Sequence, residues 1–223
     1  MTHWDQMAVE WQYFLAVWAF IGANILSPGP NVLNTITTAM GSGRSAGLWS
    51  SLAVGFGISI WCLGMSLGVA AVFSLLPVAQ SGLRLVGAGL LIWFASRYLR
   101  SAWRGFRKHP AALQAVAGLS AKASFLRSLS VIALNPKALT TWLFVLTIFP
   151  IDQAHAADIA VVCVGAAALA MSIHAVYALL FSTKGAARAY LRAAPLINAV
   201  VGVFFLIIAV ELLLSIDPIA KIT

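Results

Sequence analysis

Two short polar segments interrupt long apolar stretches of this 223-residue chain, and both contain proline. The first is Ser27-Pro28-Gly29-Pro30-Asn31, and the second is Asn135-Pro136-Lys137. Proline cannot donate a backbone hydrogen bond and its ring obstructs the carbonyl four residues earlier, so each segment is expected to break a helix. The carbonyls and half-helix ends freed in this way can coordinate an ion or a polar solute.

Lys137 has the most demanding chemistry in these segments, because it falls near the centre of a predicted membrane span. An ammonium at bilayer depth costs about 2.5–3.5 kcal/mol on insertion scales, so it needs a carboxylate, carbonyls or a wet cavity. No acidic residue is predicted at comparable depth, which makes a substrate carboxylate one candidate partner. The alternative is structural: Lys137 loses its proton, or it caps carbonyls that the break exposes.

The candidate substrate-binding or gating residues are the two breaks and the polar residues around the first. They are Asn24, Ser27, Pro28, Gly29, Pro30, Asn31, Asn34, Asn135, Pro136 and Lys137. Interrupted segments in corresponding positions of two halves are the best sequence indication of a transporter site. For either break taken alone, a proline kink with only a packing role is an equal alternative.

His174 could relay a proton, since histidine titrates near physiological pH, but an interhelical hydrogen bond is the favoured interpretation. Cys62 and Cys163 lack CxxC spacing and a nearby ligand cluster. We therefore expect neither a disulfide nor a metal site and interpret both as small packing residues. No cofactor is predicted either.

Enzyme chemistry is not indicated by the sequence. There is no HExxH or P-loop motif, and no pair of carboxylates within an apolar stretch. The chain is therefore predicted not to be an enzyme, nor to hydrolyse ATP itself.

Composition predicts an all-α integral membrane protein. The chain is 61% hydrophobic and 9% charged, and its apolar residues form long runs rather than alternating tracts. Crossing a bilayer takes about 20 residues, and six segments are long enough. They are 11–40, 47–76, 78–103, 125–150, 156–182 and 195–215.

Most of the 14 basic residues would lie on one side of the membrane if the six spans alternate. These are Arg44, Arg97, Arg100, Arg104, Arg107, Lys108, Lys122, Arg127, Lys184, Arg188 and Arg192. By the positive-inside rule that side is the cytoplasm, so both termini are expected outside it. The rule also accounts for the net charge of +8, and no nucleic-acid partner is predicted.

The chain is expected to divide into a first three-helix half at 1–108, a flexible cytoplasmic linker at 109–124 and a second half at 125–223. An odd number of spans per half makes any repeat inverted, with helices one and four broken. A stripe of small residues in span two, Gly47, Ser51, Gly55 and Ser59, predicts close helix packing and would serve a homodimer as well as an internal contact.

At these residues the sequence resembles the LysE/RhtB family of bacterial amino-acid exporters. The resemblance is carried by 27–31, Gly43-Arg44-Ser45-Ala46-Gly47 with Gly55 and Gly57, 85–89, 125–129, Leu134-Asn135-Pro136-Lys137-Ala138 and Gly202. It implies export of an amino acid or close derivative across the bacterial inner membrane, driven by the proton gradient. The chain departs from the family's usual pattern at 147–151 and at 172–175, so substrate preference is not carried over.

The sequence thus predicts a multi-pass secondary exporter in membrane lipid, with an amino acid as its small-molecule substrate. Two alternatives stay open. One is an exporter of another small solute, although the absence of acidic or thiol ligands at depth disfavours divalent metals. The other is a non-transporting assembly or lipid-handling protein, in which the breaks are only kinks.

Overall fold

The described part of the protein folds into helices. A computed structural model describes residues 7–75, 79–107 and 113–214, and that part of the chain contains seven helices and no strand. They are α1 (Trp11–Leu26), α2 (Pro30–Leu75), α3 (Ala79–Arg107), α4 (Ala121–Ala133), α5 (Pro136–Ile148), α6 (Ala156–Leu180) and α7 (Lys184–Leu214). The all-α prediction is confirmed.

Several helices are long and apolar enough to cross a membrane. Among the described residues these are Pro30–Gly68 of α2, together with α6 and α7. A fourth candidate is the pair of α4 and α5, which qualifies as one span bent by 58°. The structure therefore contains three or four such candidates, and the predicted number of six is taken up below as a proposal.

Both predicted breaks are confirmed, and they explain why single apolar segments are divided into two helices. The helix α1 ends at Leu26 and α2 begins at Pro30, where the missing N–H of proline costs nothing. In the same way α4 ends at Ala133 and α5 begins at Pro136.

The helix α2 reverses direction at Gly43. Its 46 residues would form a rod of about 69 Å if straight, more than twice the thickness of a bilayer core. Gly43 has a φ of +89°, a backbone conformation that side chains with a Cβ rarely adopt. A short segment, 30–42, thus precedes the turn and a long segment, 44–75, follows it.

Two antiparallel helix pairs form most of the bundle: α2 packs on α6, and α3 packs on α7. Small residues allow the close approach, because a Cβ on Gly47 would lie only 2.8 Å from the Cβ of Ala178. The neighbouring serine, Ser51, bonds the Gly47 carbonyl at 2.9 Å within its own helix. The predicted small-residue stripe of span two is thus an internal packing surface against α6.

A disulfide joins Cys62 of α2 to Cys163 of α6, so the expectation of two unpaired packing cysteines is wrong. The two residues are 101 positions apart, and only the antiparallel packing of α2 on α6 brings them together. The disulfide lies about 27 Å along α2 from Arg44, whose side chain bonds Ser182 after α6. The pair α2–α6 therefore has a basic end at Arg44 and a disulfide near the opposite end.

The described part of the predicted linker packs against the end of the short α2 segment. The backbone N–H of Val116 donates to the Thr37 carbonyl at 3.0 Å, and Ser42 donates to the Val116 carbonyl at 2.7 Å. Ser120 then caps α4, so that helix begins at Ala121, inside the segment assigned to the linker.

The buried carboxylate of Asp158 fastens the segment before α1 to the start of α6. It accepts hydrogen bonds from the backbone N–H groups of His155 at 2.8 Å, Ala8 at 3.2 Å and Val9 at 3.4 Å. Because this side chain is fully buried, those three donors replace water around its charge.

Candidate functional site

The two breaks face each other inside the bundle. A side-chain carbon added to Gly29 would lie 3.3 Å from Nζ of Lys137 and 3.6 Å from its Cδ. The short chain of polar residues after α1 therefore lies directly against the first turn of α5. Residues that are more than 100 positions apart in sequence form one site.

The carbonyls freed by the first break have specific partners. Lys137 Nζ donates to the Asn24 carbonyl at 2.8 Å, across the interface between the breaks. The hydroxyls of Tyr177 and Tyr190 both donate to the Leu26 carbonyl, at 3.3 and 3.2 Å. Lys137 therefore caps a carbonyl exposed by the break, which is one of the alternatives that the sequence analysis gave for it.

The second break is held by its own asparagine. The Asn135 side chain accepts a hydrogen bond from the Lys137 backbone N–H at 3.0 Å and so caps α5. Further hydrogen bonds join the second turn of α5 to the first break, because Thr141 accepts from Asn24 and donates to the Lys137 carbonyl. Tyr98 of α3 donates to the Asn24 side chain as well.

A further polar contact connects the first break to α7. Ser27, which is fully buried, donates to Asn198 at 2.8 Å, and Asn198 donates to Ser101 of α3 at 3.0 Å. The first break is thus tied to α3, α5, α6 and α7.

Two cavities meet at the breaks, and Gly29, Pro30, Asn135 and Lys137 line both. The first, the His174 cavity, is narrow, about 50 Å³. Its walls also include Asn24, Asn31, Thr141, Trp142 and His174. The second, the Arg97 cavity, is about 350 Å³ and reaches toward α3 and α7. Its walls also include Ser27, Pro28, Trp93, Phe94, Arg97, Tyr98, Ser101, Pro136 and Asn198.

Three buried polar atoms around the His174 cavity have no hydrogen-bond partner in the described part of the chain. They are the side-chain oxygen of Asn31, Nε1 of Trp142 and Nε2 of His174. An unpaired buried polar group costs about 1–3 kcal/mol, so three around one cavity are unusual for a site with only a packing role. Their chemistry suits a polar ligand that both donates and accepts.

The cavities are lined by cations and contain no carboxylate among the described lining residues. The Lys137 ammonium lies 5.3 Å from the ring centre of Tyr98, and the Arg97 guanidinium lies 4.8 Å from that of Trp93. Aromatic faces attract cations and hold these two groups in place without neutralising them. The site as a whole therefore favours an anionic group on its ligand.

The structure places Asn34 away from these cavities, in a second polar cluster that we call the Asn34 network. Asn34 donates to Ser128 at 2.7 Å and accepts from Arg127 at 2.8 Å. Ser128 in turn donates to Ser50 at 2.6 Å, and Ser50 contacts Thr35 at 2.9 Å. The network connects both segments of α2 to α4 on the side of the breaks that leads to Gly43.

His174 combines features of both interpretations given to it. Its Nδ1 lies 2.9 Å from the Ala170 carbonyl one turn earlier, which is a bond within α6 rather than between helices. His174 lines the cavity, and its buried Nε2 has no hydrogen-bond partner among the described residues. The expected interhelical hydrogen bond is thus replaced by a local one, and the other nitrogen stays available.

Several residues at the site carry no sequence signal that marks them. In the sequence, Arg97 is one of the basic residues flanking a span, and Tyr98 and Asn198 are ordinary residues of apolar helices. Trp142 suits an aromatic belt at the membrane interface, but the structure buries it. Only packing of α3, α5 and α7 around the breaks brings them together. No group of three or more potential metal ligands occurs among the described residues.

Apolar helices long enough to span a bilayer define a multi-pass membrane protein, and its two facing breaks lie beside two internal cavities. No solved structure matches the chain. The chain belongs to the family of LysE type translocators, whose family model matches residues 23–216. The resemblance noted in the sequence is confirmed. Members of this family are transporters rather than enzymes, and membership implies membrane transport of small solutes such as amino acids.

Proposed function

We propose that the protein is a secondary transporter that exports an amino acid or a close derivative from the cytoplasm, driven by the proton gradient. The observation that carries the proposal is the partly buried Lys137 ammonium, which lines two cavities without a carboxylate among their described lining residues. A charged group held in this way is costly unless a ligand uses it. The substrate carboxylate is that ligand.

The half-helices supply further charge complementarity to a zwitterion. The positive N-terminal ends of α2 and α5 and the negative C-terminal ends of α1 and α4 all meet at the breaks. A carboxylate binds Lys137 at the start of α5, using donors of the ammonium other than the one bonded to Asn24. The substrate ammonium binds the unpartnered oxygen of Asn31.

The proposed architecture is a six-span inverted repeat. In it, α1 with the short α2 segment forms the first span, and α4 with α5 forms the fourth. Packing of α2 on α6 and of α3 on α7 supports this arrangement, because each pair joins corresponding members of the halves 1–108 and 125–223. Rocking of one half against the other would expose the breaks alternately to either side.

The proposed orientation places both termini outside the cytoplasm of a bacterium, in its inner membrane. Arg44 then faces the cytoplasm, as the positive-inside rule favours. The disulfide of Cys62 and Cys163 lies in the opposite half of the bundle, toward an oxidising compartment in which such bonds persist. In this orientation the Asn34 network lies between the breaks and the cytoplasm and acts as the inner gate.

Efflux from vesicles preloaded with amino acids, measured with and without a pH gradient, tests the proposal. Lys137→Ala should abolish efflux, while Lys184→Ala, which changes an exposed lysine at the start of α7, should leave it unchanged. Lys137→Arg, which keeps the charge, separates loss of binding from loss of folding. Full efflux by a folded Lys137→Ala protein would contradict the proposal. His174→Gln should reduce the response to the pH gradient if His174 relays the proton.

A further inference from the structure

The Arg97 cavity bears on which substrate is exported. It is about 350 Å³ and shares Gly29, Pro30, Asn135 and Lys137 with the His174 cavity. A ligand whose carboxylate is bound at Lys137 can therefore extend its side chain into this space. The charges on the walls of the cavity then act on that side chain.

Those charges have one sign. Arg97 and Lys137 both line the cavity, and no Asp or Glu does among the described residues. Of the other polar groups on its walls, Ser27, Ser101 and Asn198 bond one another. Tyr98 donates to Asn24, and Asn135 accepts from the Lys137 backbone N–H. A cationic substrate side chain would face two cations and no counter-charge, whereas an anionic one would have an arginine available.

Arg97 is an exposed residue on the wall of this cavity, so a ligand can reach its guanidinium. Its neighbour Tyr98 points inward to bond Asn24 at the break, and Trp93, one turn earlier on α3, holds the guanidinium at 4.8 Å from its ring. Arginine presents a planar fork of donors that matches a carboxylate. Resting on an aromatic ring, that fork loses less freedom when it binds.

We propose that the exported solute is an amino acid with a second anionic group on its side chain, and that Arg97 binds that group while Lys137 binds the α-carboxylate. This inference rests on the proposed function and specifies its substrate class. Arg97 is then the residue that determines specificity for charge. Amino acids with cationic side chains are excluded by the same two cations.

Isosteric substrate pairs provide the test. Vesicles containing the full-length protein are preloaded with glutamate, glutamine or lysine, and initial efflux rates are compared. Wild-type protein should export glutamate at least tenfold faster than glutamine, and lysine at the rate of empty vesicles. Arg97→Gln should lower glutamate efflux at least tenfold and leave glutamine efflux unchanged.

Two further variants separate charge recognition from folding. Arg97→Lys keeps the positive charge and should retain preference for glutamate over glutamine. Arg100→Gln changes an arginine of α3 that is equally exposed but does not line the cavity, and it should behave as wild type. If glutamine or lysine is exported faster than glutamate, or if Arg97→Gln slows glutamate and glutamine equally, the substrate assignment is wrong while the export function stands. If no amino acid leaves the vesicles, both proposals fail.

Discussion

At the scale of single residues, Lys137 has two roles in one place. Its ammonium caps the Asn24 carbonyl that the first break leaves free, and the same ammonium lines both cavities. An ammonium has three donors, and the described residues accept one of them. Structural capping and substrate binding therefore do not compete, and a carboxylate can be bound without breaking the contact between the breaks.

Gly29 allows this lysine to lie across the break, and Gly29→Ala should reduce transport by displacing it. The added methyl would lie 3.3 Å from Nζ, a close contact that the flexible end of the side chain must yield to. We expect efflux to fall severalfold with little loss of thermal stability, because the lysine can shift while the helices stay in place. Initial efflux rates and thermal unfolding of the purified protein provide the two measurements.

The control for Gly29→Ala is Gly89→Ala in α3. A Cβ at Gly89 meets no atom within 4 Å among the described residues, so this change tests the effect of replacing a glycine as such. Equal efflux by the two variants would mean that the position of Lys137 at Gly29 does not matter for transport.

At the scale of elements, the sequence indicates where helices break but not what the breaks touch. Proline and glycine act through local backbone sterics, so the helix breaks at 27–29 and 134–135 can be predicted from the sequence. The disulfide, Arg97 and the buried Asp158 depend instead on which helices pack together. Cys62 and Cys163 are 101 residues apart, and neither has a local pattern that indicates its partner.

Asn135 combines a local and a proposed functional role, and two substitutions separate them. Its side chain caps α5 through the Lys137 backbone N–H at 3.0 Å. Asn135→Ala should destabilise the protein by about 1 kcal/mol, the usual cost of losing an N-cap. Asn135→Ser, which keeps a capping oxygen, should restore most of that stability in thermal unfolding.

Efflux by the same two variants then shows whether Asn135 also binds substrate. If Asn135→Ser restores stability but not efflux, the amide acts on the substrate as well as on the helix. If Asn135→Ser restores both, the residue serves only as a cap. If Asn135→Ala is as stable as wild type, the hydrogen bond to Lys137 does not support α5.

At the scale of the whole molecule, the disulfide limits how the proposed halves can move. It joins α2 of the first half to α6 of the second, near the end of this pair opposite Arg44. Rocking motions that separate α2 from α6 at that end would require the bond to break. Alternating access must therefore leave this contact closed and open the bundle elsewhere, with the α3–α7 pair and the half-helices beside it as the parts free to move.

The disulfide also makes the orientation directly measurable, because the protein's two cysteines are both in it and leave no free thiol. A membrane-impermeant maleimide should therefore not label the wild-type protein until it is denatured and reduced, after which two groups are labelled. Asp152 and Lys184 are exposed at opposite ends of α6. With both termini outside, Asp152→Cys should be labelled in intact cells and Lys184→Cys only after permeabilisation. The reverse pattern would invert the orientation and turn the Asn34 network toward the outside, whereas labelling of native wild-type protein would show that Cys62 and Cys163 are not joined.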